Sequence, residues 1–585
     1  GSKQSMLKLY QRLFWFFNRE KKHYIFAFTL LMIVAVYNIL TPILLGKTVD
    51  YIVQGDLTAT ILWTLLAEFA FIAISRFILD KVYHTKINYL GQRVTYELRK
   101  NYLNKLFTMD AKFFEKYTKG DLMSRVTRDM EALTIAATTL LQDIIYQSIT
   151  LLAIIIAMIV RIDFLLTVIT IIILPVTILS IDKARFKMRQ YYETHRKIYA
   201  RMSEDLLESI EGVKVVRAYG KEERDTIKLK SSINEDLSSW TKIVKFETFF
   251  VPLFEFAASI PYFLGFTYGI YLVIQGKLSP GDLLTLSMFV ASMAAPILSL
   301  SNVFNWMSNA TISAERHYQI MDEVSAIAEV STGTKISNFK MIEFKQVSFK
   351  YQADENLVLN KLNLCIQSGQ TIGIVGPTGS GKSTLIRQLL REFNLQSGEI
   401  LIDGHSIEQI NLHSLRGLVG YVPQTHMLFR ETVTNNIKVG NPDASSADFA
   451  QAVEIADFAK DLTYLSDGFD SLVGEGGTNL SGGQKQRLSI ARAVIRNPEI
   501  LILDDSLSAV DATTERNIIE KINEYRRNKT NLIVAHRFSA ISAAHKIYVM
   551  QNGAIADEGT HEELLSRDGW YKQQFIRQIS GNEEE

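Results

Sequence analysis

The 585-residue sequence predicts two unlike halves. The first is an α-helical six-span transmembrane domain with long cytoplasmic helical extensions, and the second is an α/β domain around a largely parallel sheet. Three observations carry this. Six long apolar runs lie before residue 310. Their connections alternate between short ones and long ones rich in Lys and Arg. After Ile327 the chain turns to short β-type runs interleaved with helical patterns. Global averages hide this division. With 47% hydrophobic residues the chain has ample material for a core, which excludes a disordered protein. A net charge of +1 gives no basic excess pointing to nucleic acid. The single cysteine, Cys365, excludes an internal disulfide or a multi-Cys metal site.

Gly1-Ser2 reads as a cloning remnant. A basic stretch follows, with Lys3, Lys8, Arg12, Arg19, Lys21 and Lys22, and then an uncharged run over 24–45. A bilayer core about 30 Å thick needs about 20 apolar helical residues to cross. This run is long enough, and too long for a signal-peptide core. Further spans are expected over 57–79, 140–160, 164–181, 249–274 and 283–307. The connections Lys47–Asp56, Arg161–Asp163 and Gln275–Asp282 are short. Lys81–Thr139 and Asp182–Thr248 are long and basic, and fall on the same side as the N-terminus. The positive-inside rule makes that side cytoplasmic, with both chain ends. Charges and apolar residues mix at helical spacing in the long segments, so the membrane helices are expected to continue into the cytoplasm. Each has one break, near 113–119 and 217–222, read as a hairpin tip suited to docking on a partner surface.

Residues 328–340 read as a polar linker, and 341–580 as the α/β domain. Within it, Gly376-Pro377-Thr378-Gly379-Ser380-Gly381-Lys382-Ser383 matches GxxxxGK[ST], with Thr384 next. An apolar strand, Thr371–Val375, precedes it and a helix follows, which is the context the motif requires. Such glycines let backbone N–H groups curl around phosphate oxygens, and the helix N-terminus adds a positive dipole. Lys382 is expected to reach the β- and γ-phosphates of ATP, and the Ser383 hydroxyl to ligate Mg²⁺. The apolar run Ile500–Leu503 ends in Asp504, a carboxylate placed to hold Mg²⁺ through water. The histidines show no metal spacing, so Mg²⁺ with ATP is the one metal implied.

Leu480-Ser481-Gly482-Gly483-Gln484 resembles the signature motif of ATP-binding cassette (ABC) proteins. Gln424 in Tyr421-Val422-Pro423-Gln424 is similar to the Q-loop, Ser508–Asp511 to the D-loop, and His536 to the switch histidine. Tyr351 resembles the aromatic that stacks on adenine, and Gly474–Gly477 the extra loop of ABC exporters. The resemblance covers nearly the whole chain and implies a half-transporter of the ABC exporter family, with an ABC nucleotide-binding domain. It implies a dimer in which two ATP molecules lie between P-loop and signature motifs of opposite chains, with Gln424 joining Ser383 and Asp504 at the Mg²⁺. The tips fall where the family has its coupling helices.

The resemblance has one departure. The residue after the Asp504 position is normally Glu in the family and polarises the attacking water, whereas here it is Asp505. Asp is one methylene shorter, and about 1 Å of misplacement costs about 10²-fold in rate. The string Leu503–Asp511 resembles one subunit of bacterial heterodimeric multidrug exporters, whose degenerate site binds ATP but hydrolyses it poorly. This implies a non-identical partner chain with Glu at the matching position, completed by this chain's signature. Ionisable residues within spans, Glu68, Arg76, Asp143 and Glu255, with Asn302, Asn305 and Trp306, are candidates to line a cavity for amphipathic substrates. A lipid or lipid-linked flippase, and an ATP-binding regulator that pumps nothing, stand as alternatives. Cys365 reads as a small core residue of a strand.

Overall fold

The computed structural model describes residues 2–172, 174–327, 333–351 and 356–582. The chain divides into two units, Gly1–Phe107 with Lys119–Glu323, and Thr108–Thr118 with Val324–Glu585.

The first unit is helical. In chain order the helices are α1 (Ser2–Arg19), α2 (Lys21–Gln54), α3 (Ala59–Phe107), α4 (Ala111–Lys116), α5 (Lys119–Ser124), α6 (Met130–Ala137), α7 (Thr139–Arg161), α8 (Phe164–Ile171), α9 (Leu174–Glu211), α10 (Val213–Ala218), α11 (Glu222–Ile274) and α12 (Pro280–Met321); α4 belongs to the second unit. Four helical stretches are long and apolar enough to cross a membrane among the described residues: Lys21–Gln54, Ala59–Phe107, Lys119–Arg161 and Pro280–Ile297. A shorter apolar stretch covers Tyr262–Ile274. The run expected over 164–181 reaches beyond the described side chains, as do parts of 249–274 and 283–307. At 1.5 Å per residue α3 is about 74 Å long and α11 about 80 Å, far more than a bilayer core needs. This agrees with helices that continue past the membrane.

Helices α2, α7 and α12 pack against one another, and α9 pairs with α11. One core joins Ile154 and Met158 of α7 to Leu286, Phe289 and Met293 of α12. The backbones approach closely at Gly46 and Gly281, where a Cβ on either residue would strike the other's backbone. Asp50 locks the same crossing by accepting from the Gly281 N–H at 2.7 Å and the Ser279 hydroxyl at 2.8 Å.

The tips begin earlier than the sequence spacing indicates. Helix α4 starts at Ala111 because Asp110 caps it, accepting from the Phe113 N–H at 3.0 Å. Helix α10 is already complete at Ala218, and Gly220 (φ +59°) then turns the chain into α11. The segment 217–222 is thus the exit of the tip rather than its body.

The second unit holds two sheets rather than one. The strands are β1 (Met341–Phe349), β2 (Leu359–Gln367), β3 (Thr371–Val375), β4 (Ser397–Ile402), β5 (His405–Ser406), β6 (Val419–Val422), β7 (Ile500–Asp504), β8 (Thr530–Val534), β9 (Lys546–Gln551) and β10 (Ala554–Gly559). The six-stranded sheet runs β10-β9-β3-β8-β7-β6 and is parallel except for β10. Strands β3, β7 and β8 are buried at every residue, as central strands covered on both faces must be. The second sheet, β2-β1-β4-β5, is antiparallel. The link from β1 to β2 is too short for the crossover a parallel pair needs, so the strands fold back on each other. Residues just before β1 are packed rather than loose. The N–H of Thr334 donates to Gln409 and its carbonyl accepts from the Asn411 N–H. Cys365 is half-buried, a correction to the core reading. Its neighbours Leu364 and Ile366 take the inner face of β2, so alternation turns Cys365 outward.

Candidate functional site

The site grows from the C-terminal edge of the parallel sheet, where open α/β sheets place their ligands. Strand β3 ends at Val375, the chain loops through Gly376–Gly381, and helix α13 (Lys382–Leu389) begins. The glycines are sterically required. A Cβ on Gly376 would strike the Met550 carbonyl, and Gly381 sits at φ +98°. The Lys382 ammonium folds over the loop and donates to the carbonyls of Gly376 (2.8 Å) and Pro377 (3.0 Å). Burial pushes its pKa down, and Asp505 and Asp504 pull it partly back. The Ser380 hydroxyl, 2% exposed, has no hydrogen-bond partner among the described residues. A buried orphan hydroxyl in a loop of N–H donors fits an anionic ligand.

Strand β7 brings Asp504 beside the loop. Its Oδ1 accepts from the Ser383 hydroxyl at 3.1 Å and its Oδ2 from the Tyr421 hydroxyl at 3.3 Å. Burial raises the Asp504 pKa, against the lowering effect of these two donors. A hydroxyl and a carboxylate in contact are hard oxygen donors of the kind Mg²⁺ prefers, so this pair fits the expected ion. Asp505 follows in the left-handed region at φ +45°, its N–H donating to the Val534 carbonyl at 2.9 Å. Its Oδ2 accepts from the Gln424 amide at 3.3 Å and lies 4.0 Å from His536 Nε2. The structure thus gathers Lys382, Ser383, Gln424, Asp504, Asp505 and His536 around one loop. Tyr421 is an addition. It is visible in sequence as part of Tyr421–Gln424, but its bond depends on β6 lying parallel to β7, with Tyr421 opposite Ile502.

The other motif residues lie elsewhere in the unit. Ser481 caps the helix Gly482–Val494 in a reciprocal box: its hydroxyl accepts from the Gln484 N–H, and its own N–H donates to Gln484 Oε1. Gly482 and Gly483 lie against Ala509, so signature and D-loop residues are neighbours. Arg487 anchors this helix through a buried two-pronged bond to Asp461, both contacts 2.6 Å. Tyr351 is held edge-on by Phe349 and Phe393, with its hydroxyl 3.0 Å from that of Thr384. Pro377, Thr378 and Gly379 form the outer turn of the loop, and a Cβ on Gly379 would meet open space.

The first tip is built into the same unit. Asp110 accepts from the Ser325 hydroxyl (3.0 Å) and from the N–H groups of Ala326 and Ile327. Burial works against its charge, but these donors and the Phe113 N–H hold its carboxyl below the usual range. Glu115 pairs with Arg387 of α13 at 3.2 Å, a helix that begins at the phosphate loop. The sequence does not disclose these contacts, although Asp110 has the look of an N-cap.

In the first unit, Arg76 pairs with Asp80 one turn on, at 3.6 Å, and not with Glu68. Glu68 and Asp143 are partly buried. The side chains of Glu255, Asn302 and Asn305 lie outside the described residues.

The ABC transporter transmembrane region family matches residues 24–297, and the ABC transporter family matches residues 359–508. The chain is 35% identical to the probable multidrug resistance ABC transporter ATP-binding/permease protein YheI of Bacillus subtilis (strain 168), over 98% of both chains. It is 33% identical to the ATP-dependent lipid A-core flippase of Syntrophus aciditrophicus (strain SB), over 83% of this chain and 80% of the other. The fold matches a bacterial Atm1-family ABC exporter solved with ATP bound, with TM-score 0.79 and 26% identity over 96% of this chain and 98% of the other. The fold and site define an ATPase-coupled, multi-pass membrane transporter. The chain belongs to the ABC transporter family, as an exporter with an N-terminal α-helical membrane domain fused to a C-terminal nucleotide-binding domain.

Proposed function

We infer that this chain is one half of a multidrug-type exporter that extrudes amphipathic compounds by alternating access, paired with a second, non-identical half-transporter. In this reading six spans cross the cell membrane, with the nucleotide-binding domain and both termini on the cytoplasmic side. Bound Mg·ATP supplies the γ-phosphoryl group whose transfer to water is the chemical step. Lys382, now on its loop carbonyls, would meet the β- and γ-phosphates, and Tyr351 would offer its ring to the adenine. Gly376–Thr384 would cradle the phosphates, while Ser383, Asp504 and Gln424 would hold the ion. Ser481, Gly482, Gly483 and Gln484 complete the partner's site. Asp505 and His536 flank the position of the attacking water.

The observation that carries the asymmetric reading is Asp505 itself. Its short carboxylate is taken up by Gln424 at 3.3 Å with His536 at 4.0 Å, while every other ATP motif is intact. This supports a site that retains nucleotide better than it hydrolyses it. The test is ATP-dependent uptake of a fluorescent cationic dye into inside-out vesicles containing this chain and a co-expressed half-transporter with Glu after its Walker B Asp. Uptake is expected with both chains and lost with this chain alone. Full dye-stimulated ATPase from this chain alone would refute the asymmetric reading.

The similarity to a lipid A-core flippase favours one second reading, lipid translocation. It predicts ATPase stimulated by lipid and indifferent to dyes.

A further inference from the structure

Helix α1 has more apolar surface than its docking uses. Leu9, Leu13 and Phe16 are 2% exposed or less and fix the helix to its unit. Charged contacts hold it as well. Arg12 makes a two-pronged bond to Asp322 at 2.8 and 2.7 Å, and Arg19 reaches Glu97 at 3.0 Å. Yet a second flank, Tyr10, Phe14 and Phe17, recurs at helical spacing and faces a groove of about 640 Å³ closed by Tyr24, Ile25 and Leu141. That volume falls in the range of about 300–1,000 Å³ that small-molecule sites occupy. The groove's two phenols are turned out of use. Tyr24 donates to the Ala137 carbonyl at 2.8 Å and Tyr10 to the Ala136 carbonyl at 3.3 Å. Its interior is therefore apolar, and Phe14 (64% exposed) and Ile25 (65%) leave it open along one side.

Charge selects the occupant. Residues 3–22 hold six basic side chains and one acid, Glu20. Glu20 is buried and bonded to Arg93 at 3.0 Å. Lys21 stands on the groove wall and has no ion pair among the described residues. The groove also lies where the first membrane-crossing helix begins, at Lys21, the level at which Lys and aromatic side chains meet lipid headgroups.

We propose that this groove holds an anionic phospholipid of the bilayer leaflet on the α1 side, its acyl chain along Tyr10, Phe14, Phe17 and Leu141 and its headgroup phosphate on the Lys21 ammonium.

The test is native mass spectrometry of the purified, delipidated full chain titrated with phosphatidylglycerol or phosphatidylcholine. ATP is omitted, so the outcome is independent of the transport reading. The wild type retains one phosphatidylglycerol more tightly than phosphatidylcholine. Lys21→Gln weakens phosphatidylglycerol about five-fold, the effect of one basic residue near an anionic surface, and leaves phosphatidylcholine unchanged. Phe14→Glu, at an exposed position, abolishes the tight retention of phosphatidylglycerol. Lys8→Gln, on the same helix outside the groove, changes nothing. Equal retention of the two lipids by the wild type would overturn the proposal. So would an unaltered Lys21→Gln chain, or a Lys8→Gln chain weakened as much as Lys21→Gln. A monodisperse elution profile and retained nucleotide binding identify folded variants. If one misfolds, phosphatidylglycerol carrying a diazirine in its acyl chain decides the matter in the wild type. Labelling of 10–28 and Leu141 supports the site, and labelling elsewhere alone overturns it.

Discussion

At the scale of single residues, Asp505 carries the asymmetric reading proposed above. A positive φ at a non-glycine residue is tolerated by Asp and recurs where backbone conformation serves a site. From this perch the carboxylate reaches the Gln424 amide and faces His536. Lengthening the side chain by one methylene is expected to raise kcat. In this chain by itself, Asp505→Glu increases ATP turnover by up to about 10²-fold, the cost attached to about 1 Å of misplacement. Steady-state phosphate release measures it, and an unchanged kcat shows that Asp505 already serves. A second residue, His317, governs stability rather than catalysis. It is 1% exposed, stacks on Tyr102 at 5.8 Å, and its Nδ1 has no hydrogen-bond partner among the described residues. Burial, helped by Arg125, lowers its pKa from 6.5 to about 4. Its depressed folded-state pKa means that the unfolded chain takes up the proton first as pH falls. The neutral-histidine stability is complete above pH 6.5 and is lost on descent to about 4, a change of up to about 3 kcal/mol. His317→Phe keeps the ring stack and removes the titration. The thermal midpoint of the variant should therefore fall less than that of the wild type between pH 6.5 and pH 5.

At the scale of elements, the α2–α12 crossing is a tight joint of the first unit. Gly46 and Gly281 allow it, and Asp50 ties it with bonds to the Gly281 N–H and the Ser279 hydroxyl. A side chain here must push the helices apart, because the obstacle is backbone rather than a movable side chain. Gly281→Val is expected to cost about 1–3 kcal/mol, as overpacking generally does. It would show as a lowered thermal midpoint in detergent, while nucleotide binding to the second unit persists. The joint illustrates the boundary of what the sequence discloses. The phosphate loop was legible because strand, glycines, lysine and helix are contiguous, and each constrains the next. The apolar runs were legible because a bilayer demands length. The antiparallel sheet was hidden, since β1 and β2 pair through two register shifts and their individual strings do not state a direction. Tyr421 was hidden for the same reason, because the parallel neighbour that brings it to Asp504 is some eighty residues away. Arg76 with Asp80 was a local pair, overlooked because Asp80 lies just past the apolar run.

At the scale of the whole molecule, the question is whether the two ATP sites of the proposed dimer are equal. In the dimer proposed above each chain contributes a P-loop to one site and a signature to the other, so substitutions in the two motifs act on different sites. If the partner is non-identical and carries the competent Walker B, the productive site contains the partner's P-loop and this chain's Ser481. Ser481→Arg should then silence the complex, with turnover falling at least about 10²-fold, the usual effect of losing preorganised donors to a developing charge. Lys382→Ala, which touches only this chain's weak site, should reduce turnover far less, although it removes the ammonium now held 2.8 Å from the Gly376 carbonyl. In a complex of two identical chains the distinction vanishes, because each substitution strikes both sites. Both variants would then silence it to the same degree. The ratio of the two kcat values, measured on purified complex at saturating ATP, therefore separates the arrangements. A ratio near one excludes the asymmetric pair, and a large excess of Lys382→Ala over Ser481→Arg activity establishes it. Asp505→Glu in the Ser481→Arg background adds an internal check. It should restore turnover through the site that Ser481 does not touch, provided that the partner's own signature is intact.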